Sequence, residues 1–416
     1  MSMNTTVTWN KDYNPQLISK RIEESKRTDD VGKVSFSGFK HNELTILLYS
    51  TLIFPTSVPE IEARGIINQA TFNVGQKMEV SAEALLTEIN RLTGEYLERM
   101  PEPFVLASSI SVEKSTQLPS LRMKGTSILF PGQLPSRYFE EKEKLSRRVK
   151  DYLFGEPPTN YRPLMARVSA RSIYEAVDCA LDAIDLARGI WNWFLNRSQA
   201  TRMSIGPNQP INRLLLGPIH TLHQPLGKLA ADGFWFERTY RAPARLMDLR
   251  GNIEKAEEFR RVVLGKLRRI GYQLQLRDAI VRYCRALDDR DWNVSFLRLW
   301  GVLELLTHAA NQATTVERAA FVFTDREYQM QVLRHLRSHR NRAVHAGISI
   351  EEMETPLYQL KYCVEALLEF HLGNGQRFSS LEEAASFLSL PTDSTALRRR
   401  ANMAQFALKF RGYRKT

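Results

Sequence analysis

From residue 252 onward, apolar residues recur at steps of three and four along most of the chain. Stripes of this kind run through residues 276–287, 292–306, 328–336 and 353–367. Because an α-helix turns once in 3.6 residues, each stretch predicts a helix with one buried face. Helices with short connections pack against one another, so we expect residues 252–375 to form a four-helix bundle.

The first half of the chain has a mixed pattern. Residues 81–100 predict another amphipathic helix, and residues 172–175, Ser-Ile-Tyr-Glu, form a capping box that starts a further one. Residues 45–54, 104–112 and 121–130 are rich in β-branched and aromatic residues and predict strands, the last two joined by a hairpin loop. The expected fold class is α+β: an N-terminal mixed α/β domain, then a mostly helical region that ends in the bundle.

The length of 416 residues is two to three times that of a usual single domain. A turn-rich boundary falls at Gly155-Glu156-Pro157-Pro158. We therefore expect four parts. They are an α+β domain at 1–158, with a sensing or scaffolding role, a largely helical connecting region at 159–251, the bundle at 252–375, and a basic tail at 376–416.

The charge balance favours polyanionic partners. Lys and Arg number 58 against 46 Asp and Glu, a net charge of +12, which favours nucleic acid first and an anionic membrane second. Three widely spaced cysteines and the lack of a leader pattern or an 18-residue apolar run predict a cytoplasmic protein without a membrane partner. No glycine-rich phosphate loop and no Gly-x-Ser-x-Gly elbow occurs, so we expect no nucleotide cofactor and no serine hydrolase.

Residues 334–345 contain four arginines and three histidines. Within them, Arg340-Asn341 is followed four residues later by His345, a pattern expected by chance only about 0.03 times in such a chain. Cleavage of RNA without a metal requires a group that takes the 2′-OH proton, a group that protonates the 5′-oxygen, and positive charge at the phosphate. We assign His345 as general acid/base, Arg340 as the arginine that stabilises the transition state, and Asn341 as a positioning donor.

The spacing of this motif raises a geometric question. On a regular helix Arg340 and His345 lie roughly 140° apart. A helix end with a tightened turn beside Gly347 would bring both into one cleft.

Over about residues 270–375 the chain resembles the HEPN superfamily, whose ribonucleases carry Arg-Asn-x-x-x-His near the end of the third core helix. The segment 296–306 resembles the family's second helix, in which an aliphatic residue precedes a glutamate, as Leu303-Glu304 does here. The layout is most similar to the Apea-like branch found in phage-defence proteins. The resemblance implies a metal-independent, toxin-like endoribonuclease of anti-phage defence. It also implies a homodimer that shares its site across a two-fold axis, and activation by a phage-derived trigger or a partner defence protein.

Several residues have more than one interpretation. Glu304 either lines the active cleft or pairs with an arginine or with His308. His335 and His339, with Glu304 and His308, have only generic spacing for a metal, so we expect none.

For RNA contact the sequence offers two groups of arginines. They are Arg334, Arg337 and Arg342 beside the motif, and Arg398, Arg399 and Arg400 in the tail. The alternative function is a non-catalytic RNA-binding or adaptor protein that keeps the same fold. A DNA-binding regulator is a third class, for which no recognition helix is evident.

Overall fold

The computed structural model describes most of the chain. The described residues are 6–28, 34–36, 38–149, 160–197, 209–237, 240, 246–247, 249, 252–346 and 353–412. Within them the fold is mixed α and β, as the sequence predicts, and mostly helical. The predicted boundary at 155–158 lies outside the described residues, and the limits of the four parts stay a prediction.

The N-terminal part is a helical layer with its own hydrophobic cluster. Its helices are α1 (Pro15–Glu24), α2 (Gly38–Ser50), α3 (Glu60–Lys77) and α4 (Ala82–Glu98). Two small antiparallel pairs accompany them, β1 (Thr8–Trp9) with β4 (Leu52–Ile53), and β2 (Lys26–Thr28) with β3 (Val34–Phe36). The predicted helix at 81–100 is confirmed as α4. The Ser81 hydroxyl accepts the Ala84 N–H at its start, and Leu85, Ile89, Leu92 and Tyr96 are buried.

The strand predicted at 45–54 is wrong over most of its length, because α2 continues to Ser50. Leu44 and Leu48, one helical turn apart, are buried, whereas Ile46 and Leu47 are exposed. The β-branched composition favours a strand, but burial of one face at a four-residue step favours a helix, and packing outweighs propensity. Only the two-residue β4 is a strand.

A six-stranded antiparallel sheet forms the centre of the molecule, in the order β10-β9-β5-β8-β7-β6. Its strands are β5 (Glu102–Glu113), β6 (Leu121–Met123), β7 (Thr126–Leu129), β8 (Tyr161–Ala170), β9 (Ile219–His223) and β10 (Trp235–Phe236). The strand predicted at 104–112 is confirmed as β5.

The predicted single strand at 121–130 is wrong, because it is itself a hairpin. Lys124 and Gly125 both have positive φ, 49° and 81°, which is the conformation of a tight two-residue hairpin turn. The hairpin expected between β5 and this segment is also wrong, since β5 pairs with β8 and β9.

Helices cover both faces of the sheet. On one face α5 (Ser136–Val149) packs Tyr138 against Val105 and Met165. On the other face lies α6 (Ile173–Asn196), whose predicted capping box is confirmed at Ser172, where the hydroxyl accepts the Glu175 N–H. The Glu175 carboxylate accepts the N–H of Arg171.

From residue 252 the described chain is almost entirely helical, as predicted. The helices are α7 (Ile253–Leu267), α8 (Gln273–Leu287), α9 (Trp292–Thr307), α10 (Gln312–Ala320), α11 (Arg326–Ala346), α12 (Glu354–Asn374), α13 (Leu381–Leu388) and α14 (Ser394–Phe410). One hydrophobic cluster extends from the sheet through α6 to α13. The four predicted helical stretches are α8, α9, α11 and α12, with α7 and α10 added around them. None of the described helices is long and apolar enough to cross a membrane.

Candidate functional site

The Arg340–His345 motif lies near the end of α11. Met330, Leu333 and Leu336 are buried and hold this helix on the bundle, and the Asp325 carboxylate accepts the Tyr328 N–H at its start. The chain is α-helical through Ala346, so the tightened turn expected within the motif does not occur before Gly347, which lies outside the described residues. Positions 340 and 345 are therefore roughly 140° apart around the helix axis, and position 341 lies one turn before 345.

Two histidines and an arginine contact one another beside the motif. His339 Nε2 lies 2.9 Å from His335 Nε2, and the Arg342 guanidinium is 3.3 Å from the same His339 atom. His339 is buried, whereas His335 and Arg342 are exposed. Because a guanidinium only donates, His339 Nε2 accepts and its proton is on Nδ1.

Two buried polar atoms on this turn lack a hydrogen-bond partner among the described residues. They are Nδ1 of His339 and Oδ1 of Asn341. An unsatisfied buried donor or acceptor costs about 1–3 kcal/mol, so each of these atoms gains from a hydrogen bond to a water molecule or a ligand. Asn341 lies about one turn before position 345, and His339 lies six residues, or nearly two turns, before it.

The pKa of His339 is lowered from its usual value. Burial is the main cause, and the neighbouring His335 and Arg342 add to it by repelling a positive charge. His339 is therefore neutral near physiological pH. It can accept a hydrogen bond there, but it supplies no fixed positive charge.

Four arginines of α11, beginning at Arg334, have no carboxylate partner among the described residues. Arg334 and Arg342 are exposed, and Arg337 and Arg340 are half-buried. Within the described part of the chain, none of the four forms an ion pair with Asp or Glu, whereas six of the other eleven arginines between residues 252 and 375 do. Their charge remains available for an external anion such as phosphate. The side chain of His345 lies outside the described residues.

Among the described residues, Glu304 pairs with neither an arginine nor His308. Its carboxylate accepts the indole N–H of Trp300, 2.8 Å away and one turn earlier on α9. His308 ends the helix in a left-handed conformation, with φ 45°, and is exposed.

Contacts between the helices place Glu304 far from Arg340. The His371 ring donates to the Leu306 carbonyl, so the ends of α9 and α12 are adjacent. Gln329, near the start of α11, contacts Cys363 in the middle of α12, and α11 then runs back toward the beginning of α12. At 1.5 Å of rise per residue, Glu304 and Arg340 are roughly 25 Å apart along the bundle. The structure does not bring Glu304 to the motif within one chain.

The remaining predicted RNA contacts, Arg398, Arg399 and Arg400, are exposed on α14. As for a metal, the described residues contain no group of three or more His, Cys, Asp or Glu side chains arranged to hold one.

Sequence reasoning missed a buried polar network between the sheet and the helices. The Ser108 hydroxyl is 2.7 Å from His220 Nδ1, and His220 Nε2 is 3.0 Å from the Glu237 carboxylate. Glu237 in turn pairs with Arg285 of α8, which pairs with Asp185 of α6. No local signal indicates this network, since Ser108 and His220 are 112 residues apart.

The Ser108–His220–Glu237 series has the residue types of a hydrolase triad, but Ser108 and His220 are each 1% exposed. A substrate cannot reach the serine oxygen, so we infer that these hydrogen bonds have a structural role and hold the strands of the sheet together. Burial lowers the pKa of His220. Burial opposes ionisation of Glu237, yet hydrogen bonds and charge from His220 and Arg285 hold its pKa well below the usual range.

A half-buried lysine lies nearby on the opposite face of the sheet. Lys142 of α5 donates to the carbonyls of Ala107 and Ile219, at 3.0 and 2.9 Å, and burial lowers its pKa to about 7. Its hydrogen bonds end on backbone oxygens, which indicates that it fastens α5 to strands β5 and β9.

No known protein family, curated protein or solved structure matches this chain.

Proposed function

We propose that this protein is a metal-independent endoribonuclease of the HEPN type, with its active site at the end of α11. The observation that carries the proposal is the concentration of unpaired arginine charge and two unsatisfied buried polar atoms on the turn that holds Arg340 and Asn341. A site for a crowded phosphate needs this combination of cationic charge and open hydrogen-bonding capacity.

In the proposed reaction, His345 accepts the proton of a ribose 2′-OH and the 2′-oxygen attacks the adjacent phosphorus. The bond from phosphorus to the 5′-oxygen breaks, and a second imidazole returns a proton to that oxygen. The products carry a 2′,3′-cyclic phosphate and a 5′-OH. Arg340 and Arg342 neutralise the phosphate as charge accumulates, and Asn341 donates to a phosphate oxygen or orients His345.

The proposal omits Glu304, because its carboxylate already accepts from Trp300 and lies far along the bundle from Arg340. Metal independence remains part of the proposal. By resemblance to the Apea-like branch, we extend the proposal to a cytoplasmic, toxin-like effector of anti-phage defence. In the cell a phage-derived trigger or a partner protein would release its full activity, and we expect the purified protein at high concentration to retain basal cleavage.

The test is cleavage of a labelled single-stranded RNA by the full-length protein in the presence of EDTA. We expect products with cyclic phosphate ends, identified by mass spectrometry, and loss of cleavage in His345→Ala and in Arg340→Ala. His308→Asn is the matched control, because His308 is exposed and lies outside the motif, and it should cleave normally.

Two results would reject the mechanism. One is cleavage lost in EDTA and restored by magnesium, and the other is full activity of His345→Ala. Tight RNA binding by the wild type without any cleavage would instead support the alternative, a non-catalytic RNA-binding protein with this fold.

A further inference from the structure

Helix α14 has no buried residue along its 17 positions. It follows the packed helix α13 after a short joint that includes Pro391, and the Asp393 carboxylate caps its start. Large apolar side chains project from it into solvent, with Phe406 68% and Phe410 78% exposed. Exposed apolar surface of this extent on a regular helix indicates a contact surface.

The side chains of α14 are arranged around the helix in an ordered way. Arg398, Asn402, Gln405 and Lys409, spaced by four, three and four residues, form one narrow polar stripe. Most of the remaining circumference is apolar. It carries Leu397, Ala401, Ala404 and Leu408 in one row and Met403, Phe406, Ala407 and Phe410 in another. Arg399 and Arg400 interrupt it, and arginine side chains are long enough to extend their charge to a polar boundary.

The charge on this helix has one sign. Arg398, Arg399, Arg400, Lys409 and Arg411 are cationic, and no Asp or Glu occurs from Ser394 to the last residue given. A partner that fits must be anionic and must also accept a wide apolar surface.

We propose that α14 is an interfacial helix that binds the surface of an anionic lipid bilayer. A protein groove usually covers an apolar stripe about 100° wide, whereas the apolar rows here extend around more than half of α14. A membrane interface accepts such a width, because hydrocarbon surrounds the inserted part while arginine and lysine reach the headgroups. The proposal goes beyond the sequence-based expectation of no membrane partner, which rested on the lack of a spanning stretch.

Two other partners fit less well. If two copies of α14 packed together, the five cations of one helix would repel the five cations of the other, because neither helix carries a carboxylate. RNA would neutralise the charge and could stack on Phe406 and Phe410, but it would leave Leu397, Met403 and Leu408 without a favourable contact.

The experiment is flotation of the full-length protein with vesicles of phosphatidylcholine, alone or mixed with phosphatidylglycerol. We expect binding to the mixed vesicles only. The double variant Phe406→Ser/Phe410→Ser should weaken it by about tenfold or more, since two apolar anchors are lost. Leu226→Ser/Met100→Ser is the matched control, because those side chains are 88% and 84% exposed on other surfaces, and its binding should equal that of the wild type.

The same variants distinguish the other partners. Equal vesicle binding by the Phe406→Ser/Phe410→Ser variant and the wild type, or no binding to anionic vesicles, overturns the proposal. A specific loss of single-stranded RNA binding in that variant with unchanged vesicle binding assigns α14 to RNA. If the wild type is a dimer that does not bind vesicles, and only the Phe406→Ser/Phe410→Ser variant is a monomer, α14 binds a second copy of the chain.

Discussion

Arg188 of α6 and Asp288 at the end of α8 form a two-point ion pair, with nitrogen–oxygen distances of 2.6 and 2.7 Å. Arg188 is 1% exposed and also pairs with Asp185 on its own helix. Removing one partner of a buried pair leaves an uncompensated charge in the interior. We expect Arg188→Met to lower the free energy of unfolding by about 3–5 kcal/mol, measured by urea denaturation.

The matched control is Arg282→Met, which removes an ion pair with Asp278 on the exposed face of α8. It should cost less than about 1 kcal/mol, because exposed pairs gain little over hydration. Equal losses of unfolding free energy in the two variants would show that the buried Arg188 pair stabilises the fold no more than an exposed pair does.

His371 makes stability depend on pH. Its Nε2–H donates to the Leu306 carbonyl and its Nδ1 accepts from the Tyr272 hydroxyl, so both nitrogens are satisfied only in the neutral ring. Burial lowers its pKa to about 4. The unfolded chain therefore binds a proton before the folded chain does, and stability is lost as pH falls from about 6.5 to about 4.

For this one group the loss amounts to about 3 kcal/mol over that window. In urea denaturation, the His371→Gln variant should be less stable than the wild type at neutral pH. Its free energy of unfolding should depend less steeply on pH. His308→Asn, at an exposed histidine, should keep the wild-type pH dependence. If the His371→Gln variant loses stability with falling pH as steeply as the wild type does, other groups, such as the buried His220, account for the acid sensitivity.

The Trp300–Glu304 pair gives a third prediction. Glu304→Ala leaves the indole N–H of a nearly buried tryptophan without an acceptor and should cost about 1–2 kcal/mol. Glu304→Gln retains an amide oxygen at the same place and should cost much less. If the protein is the proposed ribonuclease, RNA cleavage by Glu304→Gln should be unchanged. Loss of cleavage in a well-folded Glu304→Gln variant would show that this carboxylate takes part in catalysis.

Periodicity predicted the helices well, because a helix that packs on a core must bury every third or fourth residue. The stripes at 276–287 and 353–367 lie within α8 and α12, and their apolar residues are buried. The same reasoning fails at 45–54, where β-branched residues occupy a helix whose buried side chains, among those described, are Leu44, Thr45 and Leu48. Local composition cannot show which face a neighbour will cover.

Contacts between residues far apart in the sequence are the second kind of feature that the sequence does not predict. The turn at Lys124-Gly125 lacks the usual Asn-Gly signal of a two-residue hairpin, so 121–130 reads as one strand. Whether Glu304 lies near Arg340 depends on the directions in which α9 and α11 pack, which a single sequence does not specify. The motif was located from the sequence, whereas the distance between Glu304 and Arg340 required the structure.

The arginines of α14 give a fourth prediction, which rests on the proposed function and applies to the protein without lipid, where guanidinium groups assigned to lipid headgroups contact RNA phosphates instead. Substituting Arg398, Arg399 and Arg400 by Gln should weaken binding of single-stranded RNA. It should also reduce the slope of log affinity against log salt by about 2, because three fewer phosphate contacts release fewer counterions. The single-turnover cleavage rate at saturating RNA should be unchanged. Titrations at several salt concentrations measure the slope.

A charge-matched variant controls for the change in net charge. Arg64, Arg91 and Arg282 are each exposed and each paired with a carboxylate on the same helix. Substituting these three by Gln should leave the salt slope close to that of the wild type. A collapse of the cleavage rate in the α14 variant, with RNA binding intact, would place α14 in the active site.

The last prediction concerns a shared active site. Positions 340 and 345 lie roughly 140° apart on the continuous helix α11, so one chain does not place both on one face, and one motif supplies one catalytic imidazole. Two-fold pairing of α11 ends would put Arg340 of one subunit near His345 of the partner subunit and provide both a base and an acid. When wild-type subunits are co-expressed with a growing excess of His345→Ala subunits, activity should fall as the square of the wild-type fraction. A linear fall, or an active monomer in sedimentation, would exclude the shared site and leave His339, six residues earlier, as the second proton-transfer group.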